Sequence, residues 1–201
     1  MIQIVEAHFV TSAQGVKDSL PDGVSEVVFL GRSNVGKSSI INAFANKKGL
    51  AKSSATPGKT RLINFFDIKF MKDKEPFMCR FVDLPGFGYA KVSKTLKNEW
   101  QKHLTDFLES RHSIRVFVQL LDSRHPHLEI DENVNDYIQS LLKPDQKLIQ
   151  IFTKADKLNQ KEKSALKREF PGAILVSSSQ KTGINQALET LFDSIFPARQ
   201  S

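Results

Sequence analysis

Short apolar runs alternate along this 201-residue chain with longer segments whose apolar residues recur at helical spacing. The short runs predict buried strands at residues 26–30, 62–71, 77–84, 114–122, 147–153 and 173–177. The longer segments predict one helix that runs to residue 46 and others at residues 94–111, 130–142, 161–170 and 184–196. This alternation is typical of an α/β fold in which helices cover a mainly parallel sheet.

Two regions depart from the regular alternation. The runs at 62–71 and 77–84 are joined by the short polar segment 72–76, which predicts a hairpin and therefore one antiparallel strand. Residues 1–22 contain one possible strand, and we expect them to form an N-terminal extension packed on or near the sheet. Residues 23–198 then form the main domain, which contains no internal repeat and no linker.

The turn after the predicted strand at 26–30 fits the pattern G-x-x-x-x-G-K-[ST]. It lies between a strand and a helix, as the motif requires. Its glycines let successive backbone N–H groups face one point at a helix N-terminus, where an anion binds. We expect Lys37 to reach the β- and γ-phosphates and the Ser38 hydroxyl to bind Mg²⁺. The complete match favours a phosphate site over a turn without a ligand. The site comprises Gly31, Arg32, Ser33, Asn34, Val35, Gly36, Lys37 and Ser38.

A second segment, Asp83-Leu84-Pro85-Gly86, follows a predicted strand 45 residues beyond Ser38. By itself the pattern D-x-P-G indicates only a turn, and its position after a phosphate loop gives it meaning. An aspartate at the end of that strand can hold Mg²⁺, often through water. The Gly86 N–H can meet the γ-phosphate.

A third segment, Thr153-Lys154-Ala155-Asp156, also follows a predicted strand. The Asp156 carboxylate can accept hydrogen bonds from the N1–H and 2-amino groups of guanine, which adenine does not present. The aliphatic part of Lys154 can lie along the base. Alone the pattern is weak, because many helices begin with such residues.

Val176, Ser177 and Ser178 lie at the end of the last predicted strand, where a backbone N–H can donate to guanine O6. Adenine would place its amino group against that donor, and the unpaired buried donor costs about 1–3 kcal/mol. All four segments lie at the carboxyl ends of strands, where α/β proteins bind ligands. Together they favour GTP and GDP over ATP.

Composition and charge narrow the class further. The single cysteine excludes an intramolecular disulfide, and the absence of an apolar run of about 18 residues argues against a transmembrane helix. Residues 31–74 hold ten Lys and Arg against two Asp, so this stretch accounts for the whole excess of the +7 net charge. Such a basic stretch favours binding to a polyanion or to an acidic membrane surface. The candidates for RNA contact are Lys47, Lys48, Lys52, Lys69, Lys72 and Lys74.

The combination of motifs resembles the EngB family of bacterial ribosome-assembly GTPases, in the translation-factor class. The matching segments are GRSNVGKSS (31–39), TPGKTRLINFF (56–66), DLPGFGYA (83–90), LDSR (121–124) and TKADKL (153–158). They span most of residues 23–196. The resemblance implies a small G domain, a P-loop NTPase three-layer sandwich with one antiparallel strand in a mostly parallel sheet.

The resemblance also implies site residues that the spacing alone does not identify. Thr60 corresponds to the switch I threonine, which completes the Mg²⁺ ligands when GTP is bound, although a loop threonine after a Pro-Gly turn fits the same letters. Its neighbours in this nucleotide-binding switch are Gly58, Lys59, Arg61 and Leu62. Switch II is expected from Asp83 to Lys94, ordered by the γ-phosphate and released after hydrolysis.

Hydrolysis itself is expected to be slow in the free protein. Many GTPases place a glutamine after D-x-x-G to orient the attacking water, and Phe87 takes that place here. The expected catalytic groups are therefore Lys37, Thr60, Gly86 and Asn34. Asn34 resembles the asparagine with which some related GTPases bind K⁺ beside the phosphates, and the alternative is an asparagine that braces the loop.

We therefore expect a cytoplasmic, monomeric GTPase that uses Mg²⁺ and hydrolyses GTP as a switch. The resemblance implies a role in large ribosomal subunit assembly, linked to cell division and septum formation, with the subunit precursor and its rRNA as partners. We expect neither DNA binding nor integral membrane association. The alternatives are a nucleotide-gated interaction module at a membrane or division site, with hydrolysis incidental, and an ATP-using P-loop enzyme.

Overall fold

The computed structural model describes residues 2–52, 62–87 and 94–197, with the side chains of 94–101 left aside. The strands are β1 (Ile2–Ala13), β2 (Glu26–Gly31), β3 (Ile63–Lys72), β4 (Glu75–Asp83), β5 (Ile114–Asp122), β6 (Lys147–Thr153) and β7 (Ile174–Leu175). The helices are α1 (Lys37–Phe44), α2 (Lys94–Ser110), α3 (Glu129–Leu141), α4 (Gln160–Glu169) and α5 (Ile184–Ile195).

The described strands form a single sheet in the order β1-β3-β4-β2-β5-β6-β7. From β4 to β7 every neighbouring pair is parallel, whereas β3 pairs antiparallel with both β1 and β4. Of the strands in this sheet, β3 alone runs against the others. The predicted fold, a mostly parallel sheet with one antiparallel strand and helices on its faces, is confirmed.

Side chains of β2 show how the sheet separates two cores. Val27 and Phe29 join one apolar cluster with residues of α1 and α5, and Val28 and Leu30 join a second cluster with residues of α2 and α3. All six residues of β2 are buried. A central strand covered on both faces explains why β2 is a continuous apolar run rather than an alternating one.

Aromatic rings fill much of the first core. Phe29 and Phe70 both contact Phe81 edge-to-face, with ring centroids 4.9 and 6.3 Å apart, and Phe70 also contacts Phe192 of α5. Such contacts are the favoured geometry of buried aromatic pairs. The fully buried phenylalanines of the β3–β4 pair are therefore core residues and not a surface for stacking on bases.

Two predicted boundaries are wrong in informative ways. The hairpin turn is only Asp73-Lys74, both with positive φ (51° and 71°), so the predicted loop 72–76 is too long and Pro76 lies within β4. The predicted strand 173–177 is shorter, because only Ile174 and Leu175 pair with β6 before the chain turns into a loop.

A buried ion pair anchors the start of β2 at the end of the sheet away from the phosphate loop. Arg111, just after α2, donates from Nε and Nη2 to the two carboxylate oxygens of Glu26, each at 2.6 Å. Its Nη1 donates to Leu20 O and Ser19 Oγ, which ties the N-terminal segment to the same point. Bidentate geometry compensates for the removal of both charges from water.

Among the described residues, no helix has the length and apolarity required to cross a membrane.

Candidate functional site

The carboxyl ends of β2 and β4 and the residue after β6 meet at one edge of the sheet and line a single pocket of about 320 Å³. Three of the predicted segments contribute to its lining, as does Lys52 from the loop after α1. The lining residues are Arg32, Ser33, Asn34, Gly36, Lys37, Ser38, Ser39, Lys52, Asp83, Leu84, Pro85, Gly86 and Lys154.

The loop from β2 to α1 turns sharply at two residues. Asn34 has φ 62° and Gly36 has φ 104°, and α1 begins at Lys37 immediately afterwards. A φ of 104° is strained for any residue with a side chain, so glycine is required at position 36. The turn places the helix N-terminus against the pocket, which is the arrangement that binds phosphate.

Opposite charges meet inside this pocket. The Lys37 ammonium donates a hydrogen bond to the Asp83 carboxylate, and both side chains are largely buried. The ammonium is suited to phosphate oxygens, while the Asp83 carboxylate and the Ser38 hydroxyl are hard oxygen donors of the kind that Mg²⁺ prefers. The residues present therefore fit a nucleotide with its magnesium ion.

Gly86 and Phe87 lie directly against the phosphate loop. The Phe87 N–H donates to Gly31 O at 3.3 Å, and the Ser33 N–H donates to Phe87 O at 3.1 Å. A Cβ atom on Gly86 would lie 3.1 Å from Ser33 N, closer than nearly all real contacts of that kind. This close approach explains the glycine and joins the start of switch II to the phosphate loop.

Thr153 and Lys154 hold the same loop from the other side. The Thr153 hydroxyl donates to Val35 O at 2.6 Å, and Leu121 O lies 3.1 Å from the same hydroxyl oxygen. The Lys154 ammonium donates to Asn34 O at 2.7 Å and to Asp122 at 2.8 Å. A threonine hydroxyl and a lysine ammonium therefore brace this loop.

Asp122 is a site residue to which the sequence analysis assigned no role. Its buried carboxylate accepts from Lys154 and, in a bidentate pair, from Arg124. Burial raises the pKa of Asp122, but the hydrogen bonds from Arg124 and Lys154 outweigh it and hold the pKa well below its ordinary value. The sequence feature that could have pointed to Asp122 is an aspartate at the end of a buried strand, followed two residues later by arginine.

The base-side residues are linked to one another. The Ser177 hydroxyl donates to Asp156 Oδ1 at 2.6 Å and is the main cause of the lowered pKa of Asp156. The Ser177 N–H donates to Thr182 O at 3.0 Å and is therefore engaged within the protein. Ala155 N–H donates to Val176 O, which joins the two loops.

Switch I is the part of the predicted site that the structure does not reach. Gly58, Lys59, Thr60 and Arg61 lie outside the described residues. Leu62 is described, is 37% exposed and precedes β3 without lining the pocket. Within the described ranges no group of three His, Cys, Asp or Glu side chains forms a metal site. Ser38 and Asp83 are therefore the described members of the predicted Mg²⁺ set.

We expect Thr153→Val to weaken both folding and GDP binding. The change keeps the shape but removes the hydroxyl, which leaves Val35 O without its donor and costs about 1–3 kcal/mol in unfolding free energy. GDP affinity, measured by calorimetry, should fall about tenfold because the phosphate loop loses its brace. Thr153→Ser, which keeps the hydroxyl, is the control. Equal GDP affinity in the valine and serine variants would contradict the bracing role.

A family model described as "50S ribosome-binding GTPase" matches residues 26–154. That range runs from β2 to the residue after β6 and includes the phosphate loop, the Asp83–Gly86 segment and Thr153-Lys154. Asp156 and the Ser177 loop lie beyond it.

Curated relatives match nearly the whole chain. The "Probable GTP-binding protein EngB" of Campylobacter jejuni subsp. jejuni is 55% identical over 190 residues, which are 94% of this chain and 96% of that protein. The protein of the same name from Aliarcobacter butzleri is 56% identical over 184 residues, 90% of this chain and 92% of the relative.

Solved structures share the fold at lower identity. A crystal structure of a probable GTP-binding protein engB has a TM-score of 0.63 at 24% identity and covers 85% of this chain and 98% of its own. Era, solved in complex with MgGDPNP and nucleotides 1506–1542 of 16S ribosomal RNA, has a TM-score of 0.63 at 20% identity, covering 87% of this chain and 58% of Era.

Proposed function

The chain belongs to the EngB family of GTP-binding proteins, and on that premise we propose that this GTPase acts as a cytoplasmic switch in assembly of the large ribosomal subunit. As a GTPase it hydrolyses GTP to GDP and phosphate. The observation that carries the nucleotide-binding part of the proposal is a pocket lined by the phosphate loop, by Asp83–Gly86 and by Lys154, which lies two residues before the Asp156 that Ser177 holds.

In this proposal different residues bind the phosphates and the magnesium ion. The backbone N–H groups of residues 36–38 and the Lys37 ammonium bind the β- and γ-phosphates, and Ser38 and Asp83 would hold Mg²⁺, the latter through water. When bound, Mg²⁺ neutralises charge on the β- and γ-oxygens. The Gly86 N–H faces the γ-phosphate from the start of switch II. Thr60 completes the Mg²⁺ ligands in the GTP state.

The base side accounts for the choice of guanine. Asp156, whose pKa the Ser177 hydroxyl lowers, accepts from guanine N1–H and the 2-amino group, while the Ser178 N–H donates to O6. Lys154 cannot move independently of the phosphate loop, because its ammonium is bonded to Asn34 O. Its stem therefore lies at the boundary of base and phosphate, where it can pack along the purine.

Hydrolysis requires help in this protein, since Phe87 offers no hydrogen bond from its side chain to the attacking water. We propose that Asn34, whose side chain is exposed at the pocket, binds K⁺ there and that the ion supplies positive charge beside the phosphates. Residue 34 has positive φ, a conformation that asparagine tolerates better than most residues.

We expect GTP turnover to be at least about tenfold faster in KCl than in NaCl at equal ionic strength, less than the ~10³–10⁵ that an arginine finger supplies. Phosphate release measured in both salts checks this. Asn34→Gly keeps the backbone conformation accessible while removing the amide, and should lose the stimulation. Equal turnover of the unmodified protein in the two salts would show that K⁺ has no part.

The proposed ribosomal partner is supported by the family description and by a groove of about 920 Å³ beside the base-binding loop. The groove lies between the start of β1, the end of α1 and α5, and the Ser178–Ser179 turn. Lys47, Lys48 and Lys181 line it against one acid, Glu189. We propose that rRNA phosphates bind there, which also accounts for part of the charge concentrated in residues 31–74.

Local pairing distinguishes among the predicted RNA-contacting lysines. Lys69 pairs with Glu6 at 2.7 Å, and Lys72 lies 3.8 Å from Asp193. Lys47 donates to Ala7 O and is thereby held at the edge of β1. Lys48, exposed in the groove, is therefore a better candidate for an RNA contact than these three. Lys181, which was not among the predicted lysines, is exposed in the same groove and joins it as a candidate.

We expect the GTP form to co-sediment with large-subunit particles and the double variant Lys48→Glu/Lys181→Glu to lose most of this association. Each phosphate contact removed should lower the slope of log affinity against log salt by about 0.7 for single-stranded RNA. Lys161→Glu/Lys167→Glu, on exposed positions of α4, changes the charge equally away from the groove and should bind normally.

Two results would contradict the ribosomal role. One is association that does not depend on the nucleotide. The other is pelleting with anionic vesicles in the absence of ribosomal particles, which favours the alternative of an interaction module at a membrane or division site. Loss of binding in both double variants would instead assign the effect to net charge rather than to the groove.

A further inference from the structure

A chain of polar side chains crosses the otherwise apolar middle of the sheet under α3. Gln119 is fully buried in β5 between Val118 and Leu120, and its Cα partner on β6 is Gln150. Gln150 Nε2 donates to Gln119 Oε1 and to Asn135 Oδ1, each at 3.1 Å. Gln119 Nε2 in turn donates to Asp131 O at 2.7 Å. Two strands thus hold two residues of α3 through hydrogen bonds.

These glutamines fix the beginning of α3, which lacks the usual cap. Leu128 occupies the N-cap position and offers no side-chain hydrogen bond to the first turn. Burying amide groups is costly unless they are bonded, and apolar residues would suit the centre of this sheet at lower cost. The hydrogen-bonded glutamines fix the positions of Asp131 and Asn135 on α3.

Asp131 faces the phosphate loop from that fixed position. The residue is 2% exposed, and its Oδ2 accepts from Arg32 Nε at 3.2 Å, while its Oδ1 has no partner among the described residues. Burial raises the pKa of Asp131, the nearby Asp122 adds to this, and Arg32 opposes it. The buried Asp131 carboxylate lies in an unfavourable environment for a charge. The side-chain bond that it makes among the described residues is to Arg32 of the phosphate loop.

We propose that Asp131 is a positioning residue for GTP hydrolysis, which sets the Arg32–Ser33 part of the phosphate loop from α3. Arg32 forms a backbone bridge with Phe87, and the neighbouring Ser33 N–H donates to Phe87 O. Whatever fixes Arg32 therefore fixes where the loop meets the residue after Gly86. The inference rests on the proposed function, since it concerns the γ-phosphate side of that site.

The two halves of the phosphate loop are held by different residues. Thr153 and Lys154 brace Val35 and Asn34 from the base side, whereas Asp131 holds Arg32 from α3. Loss of Asp131 should leave the β-phosphate half intact and displace the half next to Gly86. GDP binding should then survive while GTP turnover falls, and α3 becomes an element whose movement changes the rate.

Asp131→Asn is the direct test, because it keeps the shape and an acceptor but removes the charge that holds Arg32. We expect kcat for GTP to fall about tenfold, with KM and the Kd for GDP changed less than about threefold. Glu132→Gln is the matched control. It removes the same charge from an exposed position of the same turn, and should leave all three constants unchanged.

A second pair of variants separates positioning from folding. Gln119→Met/Gln150→Met removes the buried network and should leave the thermal unfolding midpoint unchanged or higher, while kcat falls as in Asp131→Asn. In a double-mutant cycle, Arg32→Gln added to Asp131→Asn should cost little more than either change alone, because both break one interaction.

The outcomes are distinct. A lower unfolding midpoint in Asp131→Asn with unchanged kcat per folded molecule would overturn the proposal and leave a merely structural ion pair. Kinetic constants of Asp131→Asn equal to those of Glu132→Gln would also overturn the proposal. In that case GTP turnover by the unmodified chain would still support the proposed function. Absence of turnover in the unmodified chain would instead reject the proposed function itself.

Discussion

The phosphate loop depends on being held from the base side by β6. Its turn at Asn34 and Gly36 uses backbone conformations that few residues tolerate, and turns of that kind persist only when neighbouring groups over-determine them. Here the neighbours are the Thr153 hydroxyl and the Lys154 ammonium, bonded to the carbonyls of Val35 and Asn34. The parallel order of β2, β5 and β6 makes those bonds possible, because it brings the carboxyl ends of these strands together.

This bracing joins functions that are usually described separately. Thr153 and Lys154, which position the phosphate loop, lie just before Asp156, for which we propose base recognition. The Ser177 hydroxyl, bonded to Asp156, extends the connection to the last loop. On the γ-phosphate side, Phe87 is bonded to the same loop through its backbone. The Asp156 loop, the phosphate loop and the segment Asp83–Phe87 therefore form one connected unit, to which α3 is attached through Arg32.

Much of this could be predicted from the sequence, for identifiable reasons. Motif spacing located Lys37, Asp83 and Asp156 because the order of strand ends is fixed by parallel topology. Asp122 was missed, since an aspartate closing an apolar strand does not reveal which cation approaches it in space. Gln119 and Asp131 were likewise invisible as partners, because the hydrogen bonds and the ion pair that connect them to other segments form only after packing. The hairpin loop was predicted too long because the polar segment 72–76 was assigned to the loop, whereas Lys72, Glu75 and Pro76 continue the paired strands.

We propose above all that this braced site binds guanine through Asp156. Calorimetric titration with GDP and ADP, and of Asp156→Asn with XDP, tests that claim most directly. We predict that GDP binds at least about 100-fold tighter than ADP, in keeping with about 1–3 kcal/mol for each unpaired group. Asp156→Asn should lose GDP affinity and gain XDP affinity. ADP binding as tight as GDP, or an unchanged preference in Asp156→Asn, would contradict it.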